Sequence, residues 1–256
     1  GGNTAFTYFL NRRFFAKASF EKATRLPDET ETFGDLRLVR PNPALLPEQS
    51  DNLNLTLVFR SGPFDVELSG FLRNVENIIY LPPAPFYAQY QNALKVNIRG
   101  VEGAVKVQPR PWLALDASVT FQDLRNRSLI DGYGVNSARY FGARMPNIPY
   151  FFANGGITVN RDSVLQKSAH VQFYWNASYV HGYYLYWAID GDPALKNSIP
   201  SQFVNHLGVS VLHYKSRISL ALDVNNLFNR LIYDNFKVQL PGRTYNLKLR
   251  IYQFKQ

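Results

Sequence analysis

The sequence predicts an all-β protein, an antiparallel transmembrane β-barrel, from three observations. Segments of about ten residues alternate apolar and polar side chains, which is the period of a strand with one oily and one wet face. Aromatic residues make up 15% of the chain, with 16 Tyr and 19 Phe against 3 Trp, and this composition suits strands and membrane interfaces. Tight turns and long loops alternate between the segments, so the long loops collect at one end, as they do in outer-membrane barrels.

The clearest strands lie near the C-terminus. In the first, Ile218, Leu220, Leu222 and Val224 alternate with Ser219, Ala221, Asp223 and Asn225. In the last, Tyr245, Leu247, Leu249 and Ile251 alternate with Asn246, Lys248 and Arg250. Because a charge at every second position cannot belong to a strand buried on both faces, each strand has one apolar and one wet face. This pattern leaves a soluble β-sandwich and a membrane barrel open.

Further strands precede these two, which brings the expected total to about ten. They are predicted at residues 14–23, 52–59, 64–68, 94–107, 113–122, 151–160, 170–180 and 203–213. In strand 94–107 the apolar residues change from even positions (Leu94, Val96, Ile98) to odd positions (Val101, Val105, Val107), and Gly100 stands at the change. We interpret Gly100 as a β-bulge, since a glycine where the period slips by one residue is typical of one.

Size and composition exclude several classes of protein. The chain has no Cys, so it has neither a disulfide framework nor a thiolate metal site. No apolar run approaches the ~20 residues of a membrane-spanning helix. The net charge of +9 comes from scattered Lys and Arg, which indicates a solvated basic surface and no nucleic-acid partner. Gly1-Gly2-Asn3 is neither an initiator methionine nor a signal peptide, so we expect a fragment or a processed product.

Several short motifs occur in a fixed order near the C-terminus. They are Asn226-Leu227-Phe228-Asn229, the aromatic residues Tyr233 and Phe236, Leu240-Pro241-Gly242-Arg243, and a last strand that ends in Tyr252 and Phe254. Arg25-Leu26-Pro27, Pro41-Asn42-Pro43, Gly100-Val101-Glu102 and Arg144-Met145-Pro146-Asn147 precede them. Together they resemble the C-terminal part of the β-barrel of TonB-dependent outer-membrane receptors and transporters. One departure is that Lys255 and Gln256 follow Phe254, which is out of phase with Tyr245–Ile251, so we expect a bulge or a frayed end before it.

The resemblance implies that residues 1–256 form about ten C-terminal strands of a barrel that has ~22 strands and a plugged lumen. The plug domain and the N-terminal strands would then lie upstream, and the edge strands 14–23 and 244–254 would lack partners within the chain. The implied function is TonB-dependent import of a scarce nutrient across the cell outer membrane: an iron chelate, a cobalamin, an oligosaccharide or a peptide. The implied partners are the TonB complex, the plug, the remaining strands and outer-membrane lipid, and the resemblance also allows a surface lipoprotein.

Two long loops, residues 125–147 and 181–202, are expected to face outward and to contact the cargo, because long loops on a rigid scaffold commonly carry binding. The candidate ligand-binding residues are Arg139, Arg144, Tyr183, Tyr184, Tyr186 and Trp187. Aromatic faces at a loop base can hold a sugar, a chelate or a peptide. An aromatic girdle at the membrane interface explains the Tyr183–Trp187 cluster equally well.

No catalytic, cofactor or metal site is predicted, and we expect no enzymatic activity. The four histidines lack the spacing of a zinc site, and Asp190-Gly191-Asp192 lacks the further ligands of a calcium loop. No nucleophile elbow is present. Two alternatives stay open at this point: a self-contained ten-strand outer-membrane barrel hydrolase and a soluble β-sandwich binding module.

Overall fold

The chain is built almost entirely from strands in the computed structural model, which describes residues 1–35, 37–81, 87–129, 138–164, 168–190 and 197–252. Eleven long strands form one sheet: β1 Gly2–Phe9, β2 Phe14–Arg25, β4 Glu48–Ser61, β5 Phe64–Tyr80, β7 Gln91–Arg110, β8 Leu113–Asn126, β9 Phe151–Ser163, β10 Ala169–Val180, β13 Gln202–His213, β14 Ile218–Asn225 and β15 Thr244–Ile251. The connections contain the helix α1 Glu29–Phe33, a 3-10 turn Ala138–Tyr140, and the short strands β3 Val39–Arg40, β6 Ala88–Gln89, β11 Tyr183–Tyr184 and β12 Ser198–Ile199.

Each long strand pairs antiparallel with the next long strand along the chain, from β1 to β15. Tight turns such as Gly62-Pro63 alternate with long connections such as residues 226–243, so the long connections all leave the sheet at one end. We call this the loop end. The predicted all-β antiparallel architecture is therefore confirmed. Within the described residues the sheet is open, since β1 and β15 each have a single neighbour.

Strand β1 is an addition to the predicted strands. It pairs with β2 from Gly2 opposite Lys22 to Phe9 opposite Phe15, so the expectation that strand 14–23 lacks a partner within the chain is wrong. The prediction missed β1 because Gly2–Phe9 contains no charged residue to mark a wet face. At the other end of the chain, Phe254 and the bulge expected before it lie outside the described residues.

The two faces of the sheet differ in polarity. On one, the apolar face, large side chains are exposed: Leu55, Leu57 and Leu68 show 56%, 52% and 54% of their surface, and Leu57 pairs directly with Leu68. On the other, the polar face, Thr56 pairs with Ser69 through hydroxyl oxygens 2.8 Å apart. The alternation predicted from the sequence is thus the alternation of these faces.

The register runs through Gly100 without a shift. Gly100 pairs with Phe71 on β5 and with Gln122 on β8, and the pairs on either side follow in step, so the predicted bulge at Gly100 is wrong. A glycine is required there for a different reason, because a Cβ would collide with the ring of Phe71 and the carbonyl oxygen of Phe121. The ladder between β7 and β8 instead shifts near their tight turn, between Val107 and Arg110.

What changes at Gly100 is the polarity of the two faces. Across β5, β7 and β8 the successive rows on the apolar face are Gly70–Val101–Phe121, Leu72–Arg99–Asp123 and Asn74–Asn97–Arg125. We call Leu72–Arg99–Asp123 the boundary row, since the apolar face becomes polar there. On the opposite face the change is reversed. Toward the loop end, this face carries a buried hydrophobic cluster of Phe71, Val75, Val96, Ile98, Leu124 and Met145, which we call the loop-side core.

The polar face is tied together by hydrogen bonds across several strands. The Tyr174 hydroxyl on β10 donates to the Asp223 carboxylate on β14 at 2.7 Å. Lys248 on β15 donates to the other oxygen of Asp223 at 3.0 Å. The Asp223 carboxylate thus links β10, β14 and β15 across the polar face.

The first long loop is held to the sheet by charge. Asp28 caps helix α1 and forms a reciprocal capping box with Glu31. Arg25 donates to Glu31 and to Glu48, with nitrogen–oxygen distances of 2.8 Å to each. Among the described residues, no helix is long and apolar enough to span a membrane.

Candidate functional site

The short hairpin β11–β12 extends β10 and β13 at the loop end. Tyr183 pairs with Ile199 in the same register in which Val180 pairs with Gln202. Tyr183 and Tyr184 are consecutive in β11, and the side chain of Tyr183 is the more buried of the two. Ile199 is fully buried, so the hairpin is anchored to its surroundings.

The connection between β8 and β9 lies beside this hairpin. The Met145 amide donates to the Leu124 carbonyl at 2.9 Å, and the Asn147 amide donates to the Tyr184 carbonyl at 2.8 Å. Residues 143–150 therefore bridge β8 and the hairpin, and they bring the two long loops predicted to carry binding into contact.

A pocket of about 580 Å³ lies between residues 143–150 and the hairpin, a volume typical of small-molecule sites. Its polar and aromatic lining includes Arg125, Arg144, Tyr150, His181, Tyr183, Tyr184 and Tyr186. The structure therefore brings four of the six predicted ligand-binding residues together: Arg144, Tyr183, Tyr184 and Tyr186. Their role in binding stays a prediction.

The other two predicted residues, Arg139 and Trp187, belong to a contact between the loops beside the pocket. The Tyr140 ring stacks on Trp187 with 4.7 Å between ring centroids. Asp190 accepts a hydrogen bond from the Tyr140 hydroxyl at 2.9 Å and pairs with Arg139 at 2.8 Å. We call this contact the loop clasp. Burial raises the pKa of the Tyr140 hydroxyl, and the hydrogen bond to Asp190 raises it further, so this phenol stays a neutral donor.

Positive charge dominates the edge of the pocket. Arg125 and Arg144 share the buried carboxylate of Asp123, with nitrogen–oxygen distances of 2.8 Å to each. The Arg144 guanidinium also lies over the Tyr150 ring, 4.3 Å from its centroid. The described lining contains no Asp or Glu. One carboxylate cannot neutralise two arginines, so the pocket edge favours an anion.

The Tyr183 hydroxyl is a neutral donor near this edge. Burial raises the pKa of the Tyr183 hydroxyl, and the negative charge of Asp234 adds to the effect. The His181 Nδ1 lies 2.9 Å from the Tyr179 hydroxyl, so a histidine and a tyrosine also meet at the base of the hairpin. Arg125, Tyr150 and His181 were not among the predicted site residues, because their nearness depends on long-range strand register.

Other aromatic residues form a connected row near the pocket. A chain of ring contacts runs along the loop end of the apolar face, with centroid distances of 6.5 Å for Phe121–Tyr150, 5.3 Å for Tyr150–His181 and 6.2 Å for Tyr179–His181. Tyr184 and Tyr186 lie in the connection beyond the long strands. This row of rings includes neither Tyr184 nor Tyr186, and it meets the pocket at Tyr150.

The histidine and acidic side chains in the described part of the chain bear on metal binding and catalysis. No group of three or more His, Asp or Glu side chains there could hold a metal ion. His213 lies 3.1 Å from Ser168 through Nε2 and 2.7 Å from Ser216 through Nδ1. Both ring nitrogens face serines, so no carboxylate orients this histidine as it would in a hydrolase triad.

Comparison with known proteins identifies the fold. The family model described as "TonB dependent receptor-like, beta-barrel" matches residues 2–227. No curated protein sequence matches the chain.

Solved structures of transporters are similar over nearly the whole chain. The ferric yersiniabactin uptake receptor FyuA from Yersinia pestis matches with a TM-score of 0.68 and 16% identity, covering 98% of this chain and 37% of its own. The ferric preacinetobactin receptor BauA from Acinetobacter baumannii has a TM-score of 0.67 and 16% identity, and the match covers 96% of this chain and 35% of BauA. The copper transporter OprC has a TM-score of 0.66 and 19% identity, and the match covers 96% of this chain and 38% of OprC. The chain thus spans less than two-fifths of the length of each.

Proposed function

Because the chain belongs to the TonB-dependent receptor β-barrel family, we propose that it forms part of the wall and outer loops of an outer-membrane importer driven by TonB. The observation that carries this proposal is the open antiparallel sheet with one exposed apolar face. Such a face suits lipid, and the alternation of tight turns and long loops suits a barrel in an outer membrane. A soluble sandwich would instead bury this face against a second sheet.

We further propose that residues 1–256 are the C-terminal portion of the barrel. The remaining strands and the plug would come from the rest of the protein, and the TonB complex would act through its N-terminal part. A surface lipoprotein remains compatible with this arrangement. In such an assembly the polar face lines the lumen, and the loop end faces the outside.

The chemistry of the pocket supports an anionic cargo. Arg125 and Arg144 supply positive charge, Tyr184 and Tyr186 supply rings, and the buried Tyr183 supplies a neutral hydroxyl donor. Carboxylate or phenolate groups of a metal chelate would meet the guanidinium groups as charge-assisted hydrogen bonds. The similar structures include receptors named for ferric chelates. We therefore favour an anionic metal chelate over a neutral oligosaccharide.

The test uses the full-length protein and two probes, a ferric tris-catecholate complex and a neutral maltooligosaccharide. Replacing Tyr184 and Tyr186 together by Ala should weaken binding of the ferric complex by about tenfold or more, the weight of two lost ring contacts. The matched control is Tyr214→Ala, which removes an exposed tyrosine in the tight turn between β13 and β14.

Uptake of radioactive iron by cells should fall with the double variant and stay unchanged with the control. Preferential binding of the neutral sugar would contradict the anionic assignment. Unchanged iron uptake by the double variant would remove the pocket from the import route.

A further inference from the structure

An apolar groove lies on the apolar face just below the boundary row. It has a volume of about 520 Å³, and its walls are formed by Leu53, Leu55, Leu72, Val101 and Phe121. The groove exists because Gly70 stands in a row of large side chains, and a Cβ at Gly70 would meet no atom within 4 Å. The groove is continuous with the exposed apolar face, so it suits a hydrocarbon chain.

A fan of arginines closes the loop end of this groove. Arg99 lines the groove and faces Asp123 at 3.6 Å, while Arg125 and Arg144 contact the same carboxylate at 2.8 Å. Three guanidinium groups around one carboxylate leave a local charge of about +2. Arg99 is the most exposed of the three, with 62% of its side chain accessible against 34% and 32%.

Asp123 acts as the hub that holds this fan. Its side chain is only 7% exposed, and it accepts from Arg125 and Arg144 with both oxygens. This leaves the guanidinium of Arg99, the outermost member, best placed to contact a ligand. The fan also lies in and beyond the boundary row, where the apolar face becomes polar.

We propose that the groove and the fan together bind one phosphate-bearing lipid of the surrounding bilayer. An acyl chain would lie in the hollow above Gly70, and the phosphate would meet Arg99 beside Asp123. Guanidinium groups bind phosphate through paired charge-assisted hydrogen bonds, and an apolar groove under them selects a lipid over a free anion. The inference rests on the membrane location in the proposed function. The fan shares Arg125 and Arg144 with the proposed cargo pocket, whereas Arg99 lines the groove and not that pocket.

Native mass spectrometry of the full-length protein in detergent, titrated with phosphatidic acid or with phosphatidylcholine, tests this proposal. Wild-type protein should bind one phosphatidic acid more tightly than phosphatidylcholine. Arg99→Gln should weaken the binding of phosphatidic acid by about tenfold, because one hydrogen bond to a charged group is lost. Gly70→Leu, which fills the hollow, should weaken it independently. Lys95→Gln is the control, since Lys95 lies on the same strand but pairs with Glu76 at 2.9 Å.

Three outcomes would overturn the proposal. The first is equal phosphatidic acid binding by wild type and Arg99→Gln. The second is unchanged phosphatidic acid binding by Gly70→Leu together with displacement of phosphatidic acid by inorganic phosphate. That result would mean that the fan binds a free anion. The third is the same loss in Lys95→Gln as in Arg99→Gln. Heat-modifiable gel migration verifies that each variant is folded, and iron uptake, measured separately, distinguishes failure of the import proposal from failure of this one.

Discussion

Tyr174 on β10 lies over Gly208, its direct partner on β13, and donates its hydroxyl to Asp223 on the strand beyond. The absence of a side chain at Gly208 lets the ring lie flat on the polar face. A Cβ at that position would occupy the space of the ring itself.

The first prediction is that Gly208→Val displaces Tyr174 and destabilises the sheet by about 1–3 kcal/mol, the usual loss for an overfilled site. Unfolding of the full-length protein in urea, followed by heat-modifiable gel migration, measures the change. Gly70→Ala is the matched control, because space is open there. Equal stability of the two variants would mean that the Tyr174 ring moves aside without lowering the free energy of unfolding.

The second prediction concerns the two faces. Val119 lies on the apolar face and its neighbour Ser118 on the polar face. Val119→Lys should destabilise the folded protein by about 2–4 kcal/mol, because a charge would enter hydrocarbon, whereas Ser118→Lys should have little effect in a wet lumen. Folding equilibria in lipid vesicles measure both. Similar losses at the two sites would contradict the assignment of the faces.

The third prediction concerns the hub of the arginine fan. Asp123→Asn should lower stability by about 1–3 kcal/mol, since three arginines lose their shared counter-charge. It should also weaken anionic chelate binding, because Arg125 and Arg144 are then no longer held at the pocket edge. Asp51→Asn serves as the control, because Asp51 is an exposed carboxylate near the loop end of β4. Calorimetric binding and thermal unfolding are the measurements, and a stabilised Asp123→Asn protein would show that the hub strains the loops.

The fourth prediction concerns pH. The pKa of Tyr140 is raised in the folded protein, so its contribution to the loop clasp is fully present below the ordinary tyrosine pKa of about 10 and is lost as pH rises through the folded value. Fluorescence of Trp187, isolated by subtracting a Trp187→Phe variant, should report this transition because the two rings stack. Asp190→Asn should move the midpoint to lower pH. A midpoint unchanged by Asp190→Asn would remove the hydrogen bond as a cause.

The fifth prediction concerns the sheet edges. β1 and β15 each have one neighbour among the described residues, and every unpaired backbone group in hydrocarbon costs several kcal/mol. Residues 1–256 produced alone should therefore aggregate in detergent, and should assemble when the remaining strands of the barrel are supplied. A heat-modifiable, strand-rich monomer of residues 1–256 would instead favour a small self-closed barrel.

Much of the fold follows from the local pattern of residues. Strands such as β14 and β15 are readable because charged residues alternate with leucines along each strand: Leu222 precedes Asp223, and Leu247 and Leu249 flank Lys248. Strand β1 lacks such charges, and so its pattern is too weak to predict. At Gly100 the sequence shows a real change of phase, but its cause is a change in which face is polar and not a β-bulge. Both causes move the apolar residues from even to odd positions, so the sequence alone does not separate them.

The candidate site was only partly readable. Its tyrosines are predictable because they cluster within a few residues of one another. The position of Arg144 beside Asp123 and Tyr184 is not predictable, because it depends on pairing between strands and loops that are distant in the sequence. The sequence of β8 does contain one local signal for the arginine fan. Its apolar residues stand at odd positions up to Phe121, but Leu124 stands at an even position. This change marks the same exchange of polarity between the two faces as at Gly100.

The loop-side core has a consequence for the pocket edge. Phe71 on β5 and Leu124 on β8 pack with Met145 in the connection between β8 and β9, and the Met145 amide also donates to the Leu124 carbonyl. The position of Arg144, the residue before Met145, therefore depends on side chains of the sheet that do not line the pocket. A smaller side chain at Leu124 would loosen the pocket edge from a distance.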